Sequence, residues 1–201
     1  MSTDSYTYIE RPGAAPAAPA LFLFHGTGGD EHQFLDLGAE LKPGARRIAP
    51  RGDVSEGGAF RYFRRLAEGR YDMADLGRAT AKMGGFVRER LAAERPAEAI
   101  GLGYSNGANI LASVLFESPE LFDAAVLWHP LIPFAPRPQP GLAGKRILIT
   151  AGRRDPICPA PATQALADWF AAQGAAVDVF WHEGGHEIRQ DELQATRAFL
   201  G

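Results

Sequence analysis

Ala99-Ile100-Gly101-Leu102-Gly103-Tyr104-Ser105-Asn106-Gly107-Ala108-Asn109 is the stretch whose reading decides the fold. An apolar run leads into Gly103-x-Ser105-x-Gly107, and Ala108 to Leu115 then has the composition of a helix. Strand, tight turn, helix is the order that a nucleophile elbow requires. The turn is so sharp that a side chain at 103 or 107 would strike the neighbouring strand and helix. Ser105 is then held above the sheet edge, its hydroxyl at a helix N-terminus, where developing negative charge is favoured. A glycine-flanked serine N-cap would satisfy the same three positions, so the rest of the chain has to decide.

Upstream, Leu21-Phe22-Leu23-Phe24 is a short, fully apolar run, as a buried parallel strand should be. It stops at His25-Gly26-Thr27-Gly28-Gly29-Asp30. A glycine-rich turn there can aim a main-chain N–H at an oxyanion, beside the N–H of the residue after the nucleophile. These donors are Thr27 and Asn106, and His25 is read as a structural brace of the loop. Phosphate-loop and dinucleotide readings fail, because no Gly-Lys-Ser/Thr is present and no G-x-G-x-x-G fits. Downstream, the apolar run Arg146–Thr150 is followed by Ala151-Gly152-Arg153-Arg154-Asp155-Pro156, and the run Val177–Trp181 by His182-Glu183-Gly184-Gly185-His186. Serine, then acid, then histidine, each after a separate strand, is the chain order of a hydrolytic triad of Ser105, Asp155 and His186. A serine hydroxyl needs a base to take its proton, histidine can do so near neutral pH, and a buried carboxylate fixes the imidazole tautomer.

The remaining elements alternate. A first strand is expected near Tyr6–Glu10, and an Ala/Pro/Gly connection over Pro12–Pro19. Asp30 is expected to cap a helix through Phe34, Leu37 and Leu41, followed by a strand at Arg47–Pro50. Asp72 should cap a long helix whose Leu76, Ala79, Met83, Phe86, Val87 and Leu91 repeat at helical spacing. A strand at Ala125–Trp128 and helices at Ala162–Gln173 and Gln190–Leu200 complete the pattern. This predicts an α/β protein, residues 1–201 forming one domain around a mostly parallel sheet with helices on both faces. Ligands bind such sheets beyond the carboxyl ends of the strands, where the suggestive residues cluster.

His182-Glu183-Gly184-Gly185-His186 is also a literal H-E-x-x-H, the zinc protease spacing. That chemistry needs both histidines one turn apart on a continuous helix. Here the first ends a β-type run, and two central glycines would each cost about 1 kcal/mol in a helix. No metal is therefore expected; Gly184-Gly185 read as the turn that lets His186 reach Ser105, and His182 as a strand-end residue. The segment Arg51 to Tyr71 reads as a loop rich in arginine, glycine and aromatics. Phe60, Tyr62 and Phe63 could line a substrate pocket, with Trp128, Leu131 and Ile132 as the opposite wall; an aromatic-anchored loop with solvated arginines is the other reading. His129 is read as packing or capping, and Cys158 as a packed thiol.

Composition narrows the class. Over 201 residues, 46% hydrophobic and 22% charged content describe a soluble globular chain with a sizeable core. A formal charge of -3 gives no reason to expect nucleic acid or an anionic membrane as partner. With a single cysteine no internal disulfide can form. Met1 to Arg11 lacks the basic-then-apolar pattern of a signal peptide, and no apolar run nears the roughly 20 residues of a membrane span. A cytoplasmic enzyme acting on a small molecule, without a cofactor, is the expectation.

Together these residues resemble the α/β-hydrolase superfamily, and within it the phospholipase/carboxylesterase group of small bacterial serine esterases. Leu23 to Glu31 looks like that group's oxyanion loop, Gly103 to Asn109 like its nucleophile segment. Gly152-x-x-Asp155-Pro156-Ile157 is similar to its acid segment and Gly184-Gly185-His186 to its histidine loop. Arg51-Gly52 through Leu66, with Asp72-x-x-Asp75-Leu76, is closest to a subgroup associated with hydroquinone and catechol response. The resemblance implies hydrolysis of short- or medium-chain carboxylic esters; thioesterases and lysophospholipases share the triad, so the acyl donor stays open. A non-catalytic binding protein of the same fold is the rival from another class. Dienelactone hydrolases share the fold with cysteine at the elbow, and serine at 105 counts against that reading. No insertion is long enough for a lid domain, and a homodimer is implied by analogy alone.

Overall fold

In the computed structural model residues 6–201 are described; residues 1–5, the start of the polar N-terminus read above, lie outside the described residues. In chain order the elements are β1 (Tyr8–Arg11), β2 (Ala20–Phe24), α1 (Leu35–Leu41) and β3 (Arg46–Pro50). Four short strands follow, β4 (Val54–Glu56), β5 (Ala59–Arg61), β6 (Arg65–Ala67) and β7 (Arg70–Tyr71), and then α2 (Met73–Ala93). The second half comprises β8 (Ala99–Tyr104), α3 (Asn106–Glu117), β9 (Ala124–Trp128), β10 (Arg146–Gly152), α4 (Ala160–Ala172), β11 (Ala176–His182) and α5 (Gln190–Leu200).

Seven strands form one sheet in the order β1-β3-β2-β8-β9-β10-β11. Only β1, at the edge beside β3, runs antiparallel; every other pairing is parallel. A parallel sheet covered on both faces needs strands apolar on both faces, which is why β2 and β9 are buried at every position. The pleat sorts them: Phe22, Phe24 and Leu127 pack with Met83 of α2, Ile110 of α3 and Phe170 of α4. Leu21, Leu23, Ile100 and Leu102 face the other way, with Leu35 of α1 and Leu200 of α5. This is the mostly parallel sheet with helices on both faces that the alternation predicted. Among the described residues, no helix is long and apolar enough to cross a membrane.

Two local expectations need correction. Asp30 does not cap α1: its carboxylate takes the N–H of His32 at 2.9 Å within a turn, and the helix starts at Leu35 without a side-chain cap. The segment from Arg51 to Tyr71 is not one loop but two hairpins, β4–β5 and β6–β7. Strands of two or three residues are too short to show an alternating pattern in the sequence. Asp72 does cap α2, its Oδ1 accepting the N–H of Asp75 at 3.1 Å.

Candidate active site

The elbow joins β8 to α3 at the carboxyl edge of the sheet. Ser105 has φ 52° and ψ −115°, a strained conformation for a residue with a Cβ. Such strain costs about 1–3 kcal/mol and persists only where the surroundings over-determine it. Here they do. The Ser105 N–H is tied to the Trp128 carbonyl at 2.9 Å. A Cβ on Gly103 would lie 2.5 Å from the Gly107 carbonyl oxygen, and one on Gly107 only 2.1 Å from that of Phe24. Both glycines are required because helix, strand and the end of β2 converge on the turn.

Ser105 Oγ lies 2.9 Å from His186 Nε2, and His186 Nδ1 lies 2.7 Å from Asp155 Oδ2. The other carboxylate oxygen of Asp155 accepts the N–H groups of Ile157 (2.8 Å) and Cys158 (2.9 Å). Burial raises the Asp155 pKa, but its bonds to His129, His186 and these two amides outweigh that and hold it well below the ordinary carboxylate range. The histidine loop reaches the acid because β10 ends in Gly152, where a Cβ would sit 2.1 Å from the Gly185 carbonyl oxygen. The Tyr104 hydroxyl donates to the His186 carbonyl at 2.7 Å, bracing the loop from β8.

Across from Ser105, the amides from His25 to Gly29 are all engaged except one. His25 N–H goes to the Tyr62 hydroxyl (3.1 Å), Gly26 N–H to Gln33 Oε1 (2.8 Å), Gly28 N–H to the Phe60 carbonyl (3.0 Å) and Gly29 N–H to the Gly26 carbonyl (3.0 Å). Among the described residues only the Thr27 N–H in this run makes no hydrogen bond. It borders a cavity of about 280 Å³ that also holds Ser105, Asn106 and His186. Asn106 is the first residue of α3, so its N–H belongs to the helix end that has no intrahelical partner. The Thr27 side chain is held by the buried Arg61, whose Nη1 donates to Thr27 Oγ1 at 2.7 Å.

The six residues expected to line a substrate pocket mostly do not. Leu131 borders the cavity; the other five lie elsewhere. Tyr62 is fully buried, donating to the Pro50 carbonyl at 2.8 Å; Phe63 packs edge-on against Tyr71 in the core. Phe60 lies in a separate cleft under Arg51, and Trp128 is in the core with its Nε1 bonded to Thr196. Ile132 belongs to the core on the α2–α3 face. Hairpin packing explains this: Tyr62 and Phe63 follow directly on β5, and both rings are buried where the hairpins anchor to the domain. The cavity is instead lined by Arg61, Arg65, Glu68, Tyr71, Tyr104, Asn109, Ile157 and Cys158. Arg65 pairs with Glu56 and Glu68, and Arg61 with Glu56 at 3.2 Å, so these charges are balanced within the wall. Asn109 stitches the wall together, donating to Tyr71 Oη at 2.8 Å and accepting the Leu131 N–H at 2.7 Å.

His25 is a brace: its Nε2 accepts the Gly52 N–H at 2.9 Å, and burial lowers its pKa. Cys158 is buried, its thiol pushed well up by burial and by the charge of Asp155, as a packed thiol should be. His129 is not mere packing, since its Nδ1 lies 2.9 Å from Asp155 Oδ2. Nor is His182 only a strand end. The segment from His182 to His186 is not helical, and the two histidines are linked through Glu192, His129 and Asp155. The His182 Nδ1 accepts the Gly184 N–H at 2.9 Å, so its proton sits on Nε2 and that nitrogen offers no lone pair to a metal. Glu192 went unread in the sequence, although a signal exists: it shares a helical stripe with the buried Thr196 and Leu200.

Comparison with known proteins now adds to this geometry. The profile of the dienelactone hydrolase family matches residues 79–194. A Bacillus subtilis protein named as a hydrolase, MhqD, is 38% identical over 179 residues, spanning 88% of this chain and 90% of its own. The chain belongs to the dienelactone hydrolase family. Serine at 105 had counted against that group, and the match stands with serine at the elbow. Among solved structures, this family member superposes on a protein of unknown function from Agrobacterium tumefaciens, Atu2452, with TM-score 0.92 and 56% identity over 100% of this chain and 98% of the other. It superposes equally well, TM-score 0.92, on a carboxylesterase of Bacillus cereus at 35% identity, covering 98% of this chain and 95% of that one. The α/β-hydrolase fold and the likeness to bacterial carboxylesterases expected from the motifs both hold.

Proposed function

We propose that the protein is a serine carboxylesterase that hydrolyses short- to medium-chain carboxylic esters through an acyl-enzyme on Ser105. The observation that carries the reading is the hydrogen-bonded line Ser105–His186–Asp155, at 2.9 and 2.7 Å, opening on the cavity beside the free Thr27 amide. Ser105 Oγ attacks the ester carbonyl while His186 Nε2 takes its proton. Asp155 holds the Nδ1–H tautomer and stabilises the imidazolium that forms. The Thr27 and Asn106 N–H groups receive the negative charge developing on the carbonyl oxygen, an arrangement in which losing one donor typically costs about 10²–10³ in rate. Collapse of the tetrahedral intermediate breaks the bond to the alcohol, which leaves with the proton from His186. Water, deprotonated by His186, then releases the acid and restores Ser105.

A cavity of about 280 Å³ is at the small end for ligand sites, roughly 300–1,000 Å³, which favours compact acyl groups. The kinship with a carboxylesterase of Bacillus cereus supports the ester as substrate class. Ser105→Ala tests the reading: turnover of a p-nitrophenyl ester should fall by at least about 10³-fold with the thermal unfolding midpoint retained. A fluorophosphonate should add covalently to Ser105 of the wild type, seen by mass spectrometry. Undiminished turnover in the variant, or no adduct, would overturn it.

A further inference from the structure

Behind Asp155 lies a second set of buried ionisable groups that the reaction as written does not use. His129 has no exposed surface, and its Nδ1 meets the same Asp155 oxygen that receives His186. Its Nε2 lies 3.0 Å from Glu192 Oε1, off the line of an ideal hydrogen bond but well within ion-pair range. Glu192, on the first turn of α5, is also fully buried. Its Oε1 accepts from Thr150 Oγ1 at 2.6 Å and its Oε2 from the Arg189 N–H at 2.7 Å, while His182 Nε2 stands 3.2 Å from Oε2. Surrounded by donors, Glu192 is a carboxylate. A neutral His129 would turn a lone pair on one of two carboxylates, so it holds both protons; burial opposes that charge, but Asp155 and Glu192 outweigh it and push its pKa up to about 9. The backbone holds the ring there at a positive φ of 51°, with the His129 N–H on the Thr150 carbonyl at 2.9 Å.

We propose that His129 and Glu192 are positioning residues, a buried charge pair that sets how much negative charge Asp155 presents to His186. The proposal rests on the serine-esterase reading. The imidazolium shares the very oxygen of Asp155 that must stabilise a charged His186, and so tempers it. Glu192, behind His129, returns part of the negative potential. The groups facing His129 are Asp155 after β10, Glu192 from α5, His182 at the end of β11, His186 with ring centroids 5.2 Å apart, Tyr104 from β8 at 5.9 Å, and Cys158, whose thiol donates to the His129 carbonyl. In this set only Glu192 supplies negative charge on the far side of His129 from Asp155.

Opposite substitutions should therefore move the pH–rate profile in opposite directions. Glu192→Gln removes the rear negative charge, so His186 gives up its proton more readily. The acid limb of kcat/KM for a p-nitrophenyl ester should move down by about half a pH unit or more. His129→Gln removes the cation, leaves Asp155 undiluted, and should move the limb up by a similar amount. Fluorophosphonate labelling of Ser105 in the wild type is run alongside; its absence would sink the esterase reading and the proposal with it. Labelling together with limbs that stay put, or move the same way, would overturn the charge pair alone. A loss of packing moves both variants alike and cannot produce opposed shifts. Should either variant not fold, nitrogen-15 NMR of the wild type decides: His129 carrying both ring protons at pH 7 supports the proposal, and a neutral His129 overturns it.

Discussion

Raising the pH from 6.5 to 8 should withdraw stability from the folded chain, because His129 keeps a proton there that the unfolded chain releases. Its folded pKa is pushed up to about 9, burial being outweighed by Asp155 and Glu192, against an ordinary 6.5. A group whose folded pKa is raised contributes fully below its unfolded value and loses that contribution as the pH climbs through the folded one. The gap, at roughly 1.4 kcal/mol per pH unit, corresponds to roughly 3 kcal/mol at acid pH, of which about half disappears between pH 6.5 and 8. Against a typical domain stability of about 5–15 kcal/mol this is easily measured. The window avoids two confounders: the depressed His25 acts below 6.5, and the raised Cys158 acts once unfolded thiols ionise near the ordinary 9.0. Urea unfolding followed by tryptophan fluorescence at half-unit steps measures it, with His129→Gln as the reference whose slope should be nearly flat. A wild-type stability that is level or rising across the window, relative to that variant, would refute the doubly protonated His129. At the acid end the sign reverses: Asp155 and Glu192, both held below their ordinary 3.8 and 4.5, contribute above those values, and stability falls as the pH drops beneath them.

Two further outcomes follow from the geometry. Gly107→Ala would drive a methyl to 2.1 Å from the Phe24 carbonyl oxygen and 2.5 Å from that of His25, both main chain. At about 1–3 kcal/mol for overpacking, the melting midpoint should drop by roughly 3–10 °C, and ester turnover by at least about tenfold as the Thr27 loop is displaced; an unchanged midpoint in a thermal melt would contradict it. Tyr62→Phe leaves the Pro50 carbonyl and the His25 N–H without their buried partner, costing about 1–3 kcal/mol by urea unfolding. KM for a p-nitrophenyl ester should stay within about twofold, since Tyr62 does not reach the cavity; a large KM change would put it back in the substrate site.

Much of this was legible in one dimension because it depends on local constraints. A fully apolar five-residue run such as Ala20 to Phe24 reads as a strand covered on both sides. Gly103-x-Ser105-x-Gly107, between an apolar run and a helix, points to a turn whose two glycines leave no room for a Cβ. The order Ser105, Asp155, His186, each just past a strand, follows from the rule that a parallel sheet gathers its loops at one edge. What failed were readings about which side of a short element a residue would face. In the sequence Tyr62 and Phe63 read equally as pocket walls or as anchors of the loop, because the segment is aromatic and follows a strand. Three-residue strands carry no readable period, and only the packing of the hairpins decides that these rings point inward. The histidine-rich segment after β11 shows the same limit, since its H-E-x-x-H spacing is identical whether the backbone is helix or turn.

The sequence by itself determined the sheet, the elbow and the order of the reacting residues, because each rests on period, spacing or the size of a glycine. Only the tertiary structure decided that, among the described residues, Thr27 is the one residue from His25 to Gly29 whose amide makes no hydrogen bond, and that Arg61 holds its side chain. It alone joined Asp155, His129, Glu192 and His182 into one buried line of ionisable side chains. Those residues come from the loops after β9 and β10, the end of β11 and the start of α5, and the interactions that give them meaning act over a few ångströms in space and tens of residues in the chain.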